Sequence, residues 1–106
     1  MFQGERTGAL KLLLVSGDHA VDLAQAADQI GEGLTRADPR HVREQTGFAI
    51  GGVSPIGHLS PIETWIDEHL LSFETVWAAA GAPDAVFEIA PEILERVTGA
   101  KRFKAA

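Results

Sequence analysis

The stretch GFAIGGVSPIGHLSP, residues 47–61, differs from the rest of the chain. Its fifteen positions hold four glycines and two prolines. Glycine lets a backbone approach another group closely, and proline then fixes the shape of the approach. Gly51-Gly52-Val53-Ser54-Pro55 is the strongest local signal inside it. It is not a dinucleotide-binding GxGxxG, and no Lys-Ser/Thr pair follows it to make a Walker loop. Glycines ahead of a proline can turn several backbone N–H groups toward one point. Such a nest holds a carboxyl, a phosphate or a developing oxyanion. A tight structural turn is the other reading of the same residues. Ser54 as a nucleophile would need a histidine–carboxylate pair, and the sequence places none around it.

The elements on either side follow from periodicity and caps. Upstream, Asp38-Pro39 reads as an N-cap followed by proline at the first helical position. That helix carries Arg40, Val42 and Arg43 and stops at Gly47. Gly33 to Ala37 reads as an extended link. Leu23, Ala27 and Ile30 recur at helical spacing, predicting a helix over Val21 to Ile30 with Gly31 as its stop. Ala9 to Val15 is a short apolar run bounded by turn residues, which predicts a buried strand. Residues 1–8 read as a turn with no helix and no central strand, leaving only Met1 and Phe2 as a first hairpin arm.

Downstream, Ile62 to Ile66 reads as a strand, and Asp67 to Phe73 as one or two helical turns capped by Asp67. Thr75 to Ala80 and Ala85 to Ile89 form a hairpin about the Gly81–Asp84 turn. Pro91 to Val97 reads as a short helix. The tail KRFKAA, residues 101–106, reads as basic and frayed. The order gives one mixed α/β domain over residues 1–106 with at least one antiparallel hairpin.

Composition narrows the chemistry. The 106 residues carry a formal charge of −6, which argues against non-specific binding of nucleic acid or anionic membrane. Cysteine is absent, which excludes disulfides, thiolate nucleophiles and Cys-type metal centres. No apolar run approaches the roughly 20 residues that span a bilayer. A soluble intracellular, cytoplasmic protein is the expectation, with no membrane partner. His19, His41, His58 and His69 lack metal-binding spacing, so neither a metal nor a cofactor is expected. His58 lies in the Gly/Pro loop and reads either as a substrate contact or as a histidine bonded to a backbone carbonyl. Arg36, Arg40 and Arg43, with His41, form the basic cluster outside the tail. They read as a solvated helix face or as phosphate contacts beside the loop.

The stretches TGFAIGGVSPIGH, IDEHLL, VWAAAGAPDAVFEI and PEILERVTGA together resemble the YbaK/ProX family, free-standing relatives of the prolyl-tRNA synthetase editing domain. LLLVSGDHAVDLAQAADQIG fits the same family upstream, so the likeness runs over residues 9–100. The resemblance implies a compact α/β domain whose mixed, curved sheet is flanked by helices. It implies trans-editing, the hydrolysis of the ester joining a wrong amino acid to its tRNA, in the service of translation fidelity. The family's Gly-x-x-x-Pro loop falls on Gly51, Gly52, Val53, Ser54 and Pro55, as the catalytic backbone. Thr46, Gly47, Gly57, His58 and Gly81 are then the expected substrate contacts, and Arg36, Arg40 and Arg43 the tRNA-phosphate candidates. The implied partners are the 3′ end of an aminoacyl-tRNA, an aminoacyl-tRNA synthetase and a second copy of the chain.

Two departures from the family pattern stand out. Family members begin earlier, with a helical segment and a strand bearing a lysine. This chain starts just past that strand, with Phe2 as its last residue, and Lys11 on the following strand is not a match. The loss of a strand would open a sheet edge, which dimerisation would cover. The second departure is Ala78-Ala79-Ala80, which offers only methyls where some relatives carry a hydroxyl or a second glycine. The missing lysine motivates an alternative: a catalytically inactive module of the same fold that binds tRNA or a synthetase.

Overall fold

The computed structural model describes residues 1–16, 21–49, 53–59, 62–81 and 86–105. Strand β2, Leu10–Leu14, is leucine at four of its five positions and takes the middle of a five-stranded sheet. β1 (Phe2–Gly4) and β3 (Leu34–Arg36) lie on one side of it, and β4 (Glu63–Asp67) and β7 (Lys101–Phe103) on the other, in the order β3-β1-β2-β4-β7. β1 is antiparallel to both its neighbours, while β4 is parallel to β2 and to β7. The parallel register sets Lys11 opposite Glu63 and Leu14 opposite Ile66. β5 (Val76–Ala79) and β6 (Val86–Ile89) pair antiparallel as a separate hairpin.

Period-two alternation sends the strand side chains to two faces. Leu13, Trp65 and Phe103 pack on Ala26 of α1 (Leu23–Ile30). Leu10 packs on Val42 of α2 (Pro39–Thr46). Ile66 packs on Leu94 of α3 (Pro91–Thr98) and on Leu70 of a short 3-10 helix, Glu68–Ser72. Helix α1 therefore covers one face of the sheet. Helices α2 and α3, the 3-10 helix and the β5–β6 hairpin occupy the other. Asp22 and Asp38 cap α1 and α2, each accepting a backbone N–H through its side chain.

Three expectations are corrected. Residues 2–4 form an interior strand, because even three residues find partners on both sides: Phe2 lies opposite Lys11 on β2 and Arg36 on β3. The edges of this five-stranded sheet are β3 and β7. The extended link after Gly33 is itself that edge strand. The tail is not frayed. Lys101–Phe103 pairs parallel with β4, and Phe103 is only 1% exposed. Gln29 of α1 clasps Lys104 through both amide atoms, donating to its carbonyl (2.9 Å) and accepting from its N–H (2.8 Å). Arg102 holds Glu95 with two bonds, Nε to Oε2 at 2.6 Å and Nη2 to Oε1 at 3.1 Å.

Candidate functional site

Helix α2 ends at Gly47, whose φ of 82° is the left-handed conformation that glycine adopts without strain. The chain then leaves the helix and returns, so that the Leu59 N–H donates to the Thr46 carbonyl at 3.3 Å. This brings the two ends of the segment 46–59 together. Gly51 and Gly52, the centre of the expected catalytic loop, lie outside the described residues. Thr46 is buried; its hydroxyl donates to the Val42 carbonyl (2.7 Å) and accepts from the Phe48 N–H (3.0 Å). It shapes the loop entry and lines neither of the cavities beside the loop. Ser54 is also buried, and its Oγ accepts the Ile56 N–H at 3.3 Å.

Phe48 is the residue that sequence reasoning missed. Its ring stands edge-on to His58, 6.2 Å between centroids. A Cβ on Gly57 would lie 3.8 Å from that ring, and a Cβ on Gly81 would lie 3.0 Å from it. Gly81 also has φ 94°, so a side chain there is disfavoured by conformation and by space. Phe48 thus gathers Gly57, His58 and Gly81, three of the expected contacts, around one ring. The only signal in the sequence is an aromatic residue just after a helix-ending glycine. His58 Nε2 lies 2.6 Å from the Ser54 carbonyl oxygen, the backbone contact that the sequence left open.

Two cavities flank the loop, and Pro55 lines both. The larger, about 550 Å³, runs from Pro55 and His58 to Thr64 of β4 and Val97 and Thr98 of α3. The other, about 250 Å³, lies between the sheet and the hairpin. Leu12, Leu14, Val53, Leu70 and Leu94 wall it, and Ala78 and Ala79 line it with the methyls noted in the sequence. Among the described residues, His58 is the one titratable side chain in these two linings. Arg36 on β3 and Arg40 and Arg43 on α2 are exposed, and no ion pair among the described residues engages them. They line neither cavity. Helix α2, which carries Arg40 and Arg43, ends at Gly47 where the loop begins.

Lys11, on β2, lines neither of the two cavities beside the loop. Its side chain is 8% exposed and reaches Glu32 (3.5 Å) and Glu63 (3.0 Å). The Thr7 N–H, at 3.0 Å, is the main force holding the Glu32 carboxyl down to about 2. Desolvation opposes it, while the Thr7 hydroxyl, the Arg6 N–H and Lys11 add to it. Burial pushes the Glu63 carboxyl up, yet the bonds from Trp65 and Lys11 leave it below its ordinary value. Among the described residues no group of histidines and carboxylates could hold a metal ion. No helix there is long and apolar enough to cross a membrane.

Comparison with known proteins agrees with this architecture. The model of a family described as the aminoacyl-tRNA editing domain matches residues 1–97. YwhH of Bacillus subtilis is 32% identical over 100 residues, covering 94% of this chain and 63% of its own length. EbsC of Enterococcus faecalis, whose name proposes deacylation of Cys-tRNA(Pro) and Cys-tRNA(Cys), is 26% identical, covering 90% of this chain and 58% of its own. A crystal structure described as that of a proposed trans-editing enzyme for prolyl tRNA synthetase superposes with a TM-score of 0.89. It is 48% identical and covers 97% of this chain and 64% of its own. The chain therefore spans less than two thirds of the length of these relatives.

Proposed function

This chain belongs to the aminoacyl-tRNA editing domain family, and from that premise we propose that it is a trans-acting aminoacyl-tRNA deacylase. The observation that carries the reading is the apolar cavity of about 250 Å³ whose wall includes Val53 and Pro55 of the glycine loop. A small aliphatic side chain fits there, with its ester carbonyl at the loop. Water attacks the carbonyl carbon, and the carbonyl oxygen becomes an oxyanion. Backbone N–H groups of Gly51, Gly52, Val53 and Ser54 stabilise it as preorganised donors. The C–O ester bond then breaks, one proton of the water goes to the tRNA's ribose oxygen and the other to solvent, and the amino acid leaves as a carboxylate. The substrate's neighbouring ribose hydroxyl positions the water, so no protein general base is needed. Arg36, Arg40 and Arg43 are assigned to the tRNA backbone. Selection is by pocket size, the logic of a second sieve.

A second reading is favoured by the scarcity of titratable groups among the described residues of the two cavity linings: a module that binds the tRNA end without turnover. Release of amino acid from Ala-, Ser- and Cys-charged tRNA(Pro) separates the two. The deacylase reading expects release by the wild type and its loss in Gly51→Val. Undiminished release in Gly51→Val removes the loop from the mechanism. Tight binding of tRNA with no release favours the binding module.

A further inference from the structure

Trp77 is 66% exposed in the middle of β5, unusual for a side chain this large and apolar. Trp65 shows how this fold treats an indole it needs for packing. Its Nε1 donates to Glu63 at 2.7 Å, and its ring stands edge-on to Phe103. Trp77 has neither a hydrogen-bond partner nor a ring partner among the described residues. Yet it lines two cavities: the apolar one beside the loop and a neighbouring slot of about 220 Å³. Phe73 lines the same slot, its ring held edge-on by His69 at 5.2 Å. The slot and the apolar cavity share Val15, Leu70, Val76 and Trp77, so they adjoin along one wall.

We propose that the slot between Phe73 and Trp77 holds the terminal nucleobase of the aminoacyl-tRNA, stacked on the Trp77 indole. The proposal rests on the deacylase reading and deepens it. In that substrate the amino acid and the last base hang from one ribose. Their pockets must therefore adjoin, as these two do. An unstacked base at the end of a single strand is recognised by stacking on an exposed aromatic face. Such a platform reads a base's π-face rather than a sequence, which suits a terminal adenine common to all tRNAs. Trp77 is thus a positioning residue: it sets where the ribose, and hence the ester, comes to rest beside the loop.

The test is calorimetric titration of the full chain with two probes that cannot be hydrolysed as esters. One is alanine joined by an amide to 3′-amino-3′-deoxyadenosine; the other is the same amide on a ribose without its base. Wild type is expected to bind the adenosine probe about 10-fold more tightly. Trp77→Ala erases that gap, and Trp77→Phe restores most of it, with cooperative melts retained in both. Equal binding of the two probes by wild type, or a gap that survives Trp77→Ala, overturns the proposal and leaves the deacylase reading standing. Conversion of a dimer to a monomer by Trp77→Ala with the gap unchanged also overturns it, and makes the patch a self-contact. Binding of neither probe, together with no release from mischarged tRNA, overturns the deacylase reading itself.

Discussion

Lys11 and Trp77 break the usual rules of placement in opposite directions. Lys11 is a charge buried on the α1 side of the sheet, with Glu32 at 3.5 Å and Glu63 at 3.0 Å in answer. Trp77 is a large apolar ring on the hairpin side, left in solvent with no hydrogen-bond or ring partner among the described residues. A violation that is compensated locally belongs to the architecture. One that is not compensated points to a ligand. The two sides of the sheet divide along this line. The α1 side carries the Trp65–Phe103 contact, the Gln29–Lys104 clasp and the lysine cluster. The other side carries the loop, both flanking cavities and the exposed indole.

That division is broken most directly at Phe103. Phe103→Ala opens a cavity in the α1 core and should cost about 3–5 kcal/mol of stability. The check is the urea midpoint beside the turnover of the fraction still folded. A variant that keeps its midpoint refutes the α1 side as the structural one. Next comes Gly81→Ala, on the loop side. Strain at positive φ costs about 1–2 kcal/mol, and the new methyl presses on the Phe48 ring. Deacylation per folded molecule should fall more than the midpoint does, since Phe48 carries His58 with it. Equal falls in both would make Gly81 merely a turn residue.

The smallest effect appears only in acid. The Glu32 carboxyl sits at about 2 in the folded chain against an ordinary 4.5, so its deprotonated form favours folding. That contribution is complete above the unfolded value of 4.5 and is lost as pH falls toward about 2. The urea midpoint of wild type should therefore decline across this window, and Glu32→Gln should flatten the decline. An unchanged acid limb in Glu32→Gln would move the sensitivity to another carboxylate.

Local signals were legible in the sequence. Asp38-Pro39 and Gly47 bounded α2, and Asp67 capped the 3-10 helix, because caps and stops act within one turn. The glycine- and proline-rich stretch was legible for the same reason, and with it the place where a candidate site is proposed. Pairings between distant residues were not. KRF at 101–103 is polar at two positions and becomes a strand only because β4 lies ready beside it. Phe2–Gly4 is three residues long, and its interior position depends on β3, which the sequence presents as a link. Lys11 gives no hint that Glu32 and Glu63 close on it from two other elements. Phe48 looks like any loop aromatic until the fold sets Gly57, His58 and Gly81 around its ring.

A ribosome delivers the β1–β2 hairpin early and Phe103 late. Phe103 heads the fully buried side chains, and it completes the core between α1 and Trp65. During synthesis, the apolar side of β4 and the inner stripe of α1 must wait with no cover while most of the chain is already in water. Such half-built intermediates expose strand edges and apolar surface, the combination that invites association between nascent chains. Until Lys101–Phe103 pairs with β4, a chain stalled before Lys101 offers its neighbours the bare edge of that strand.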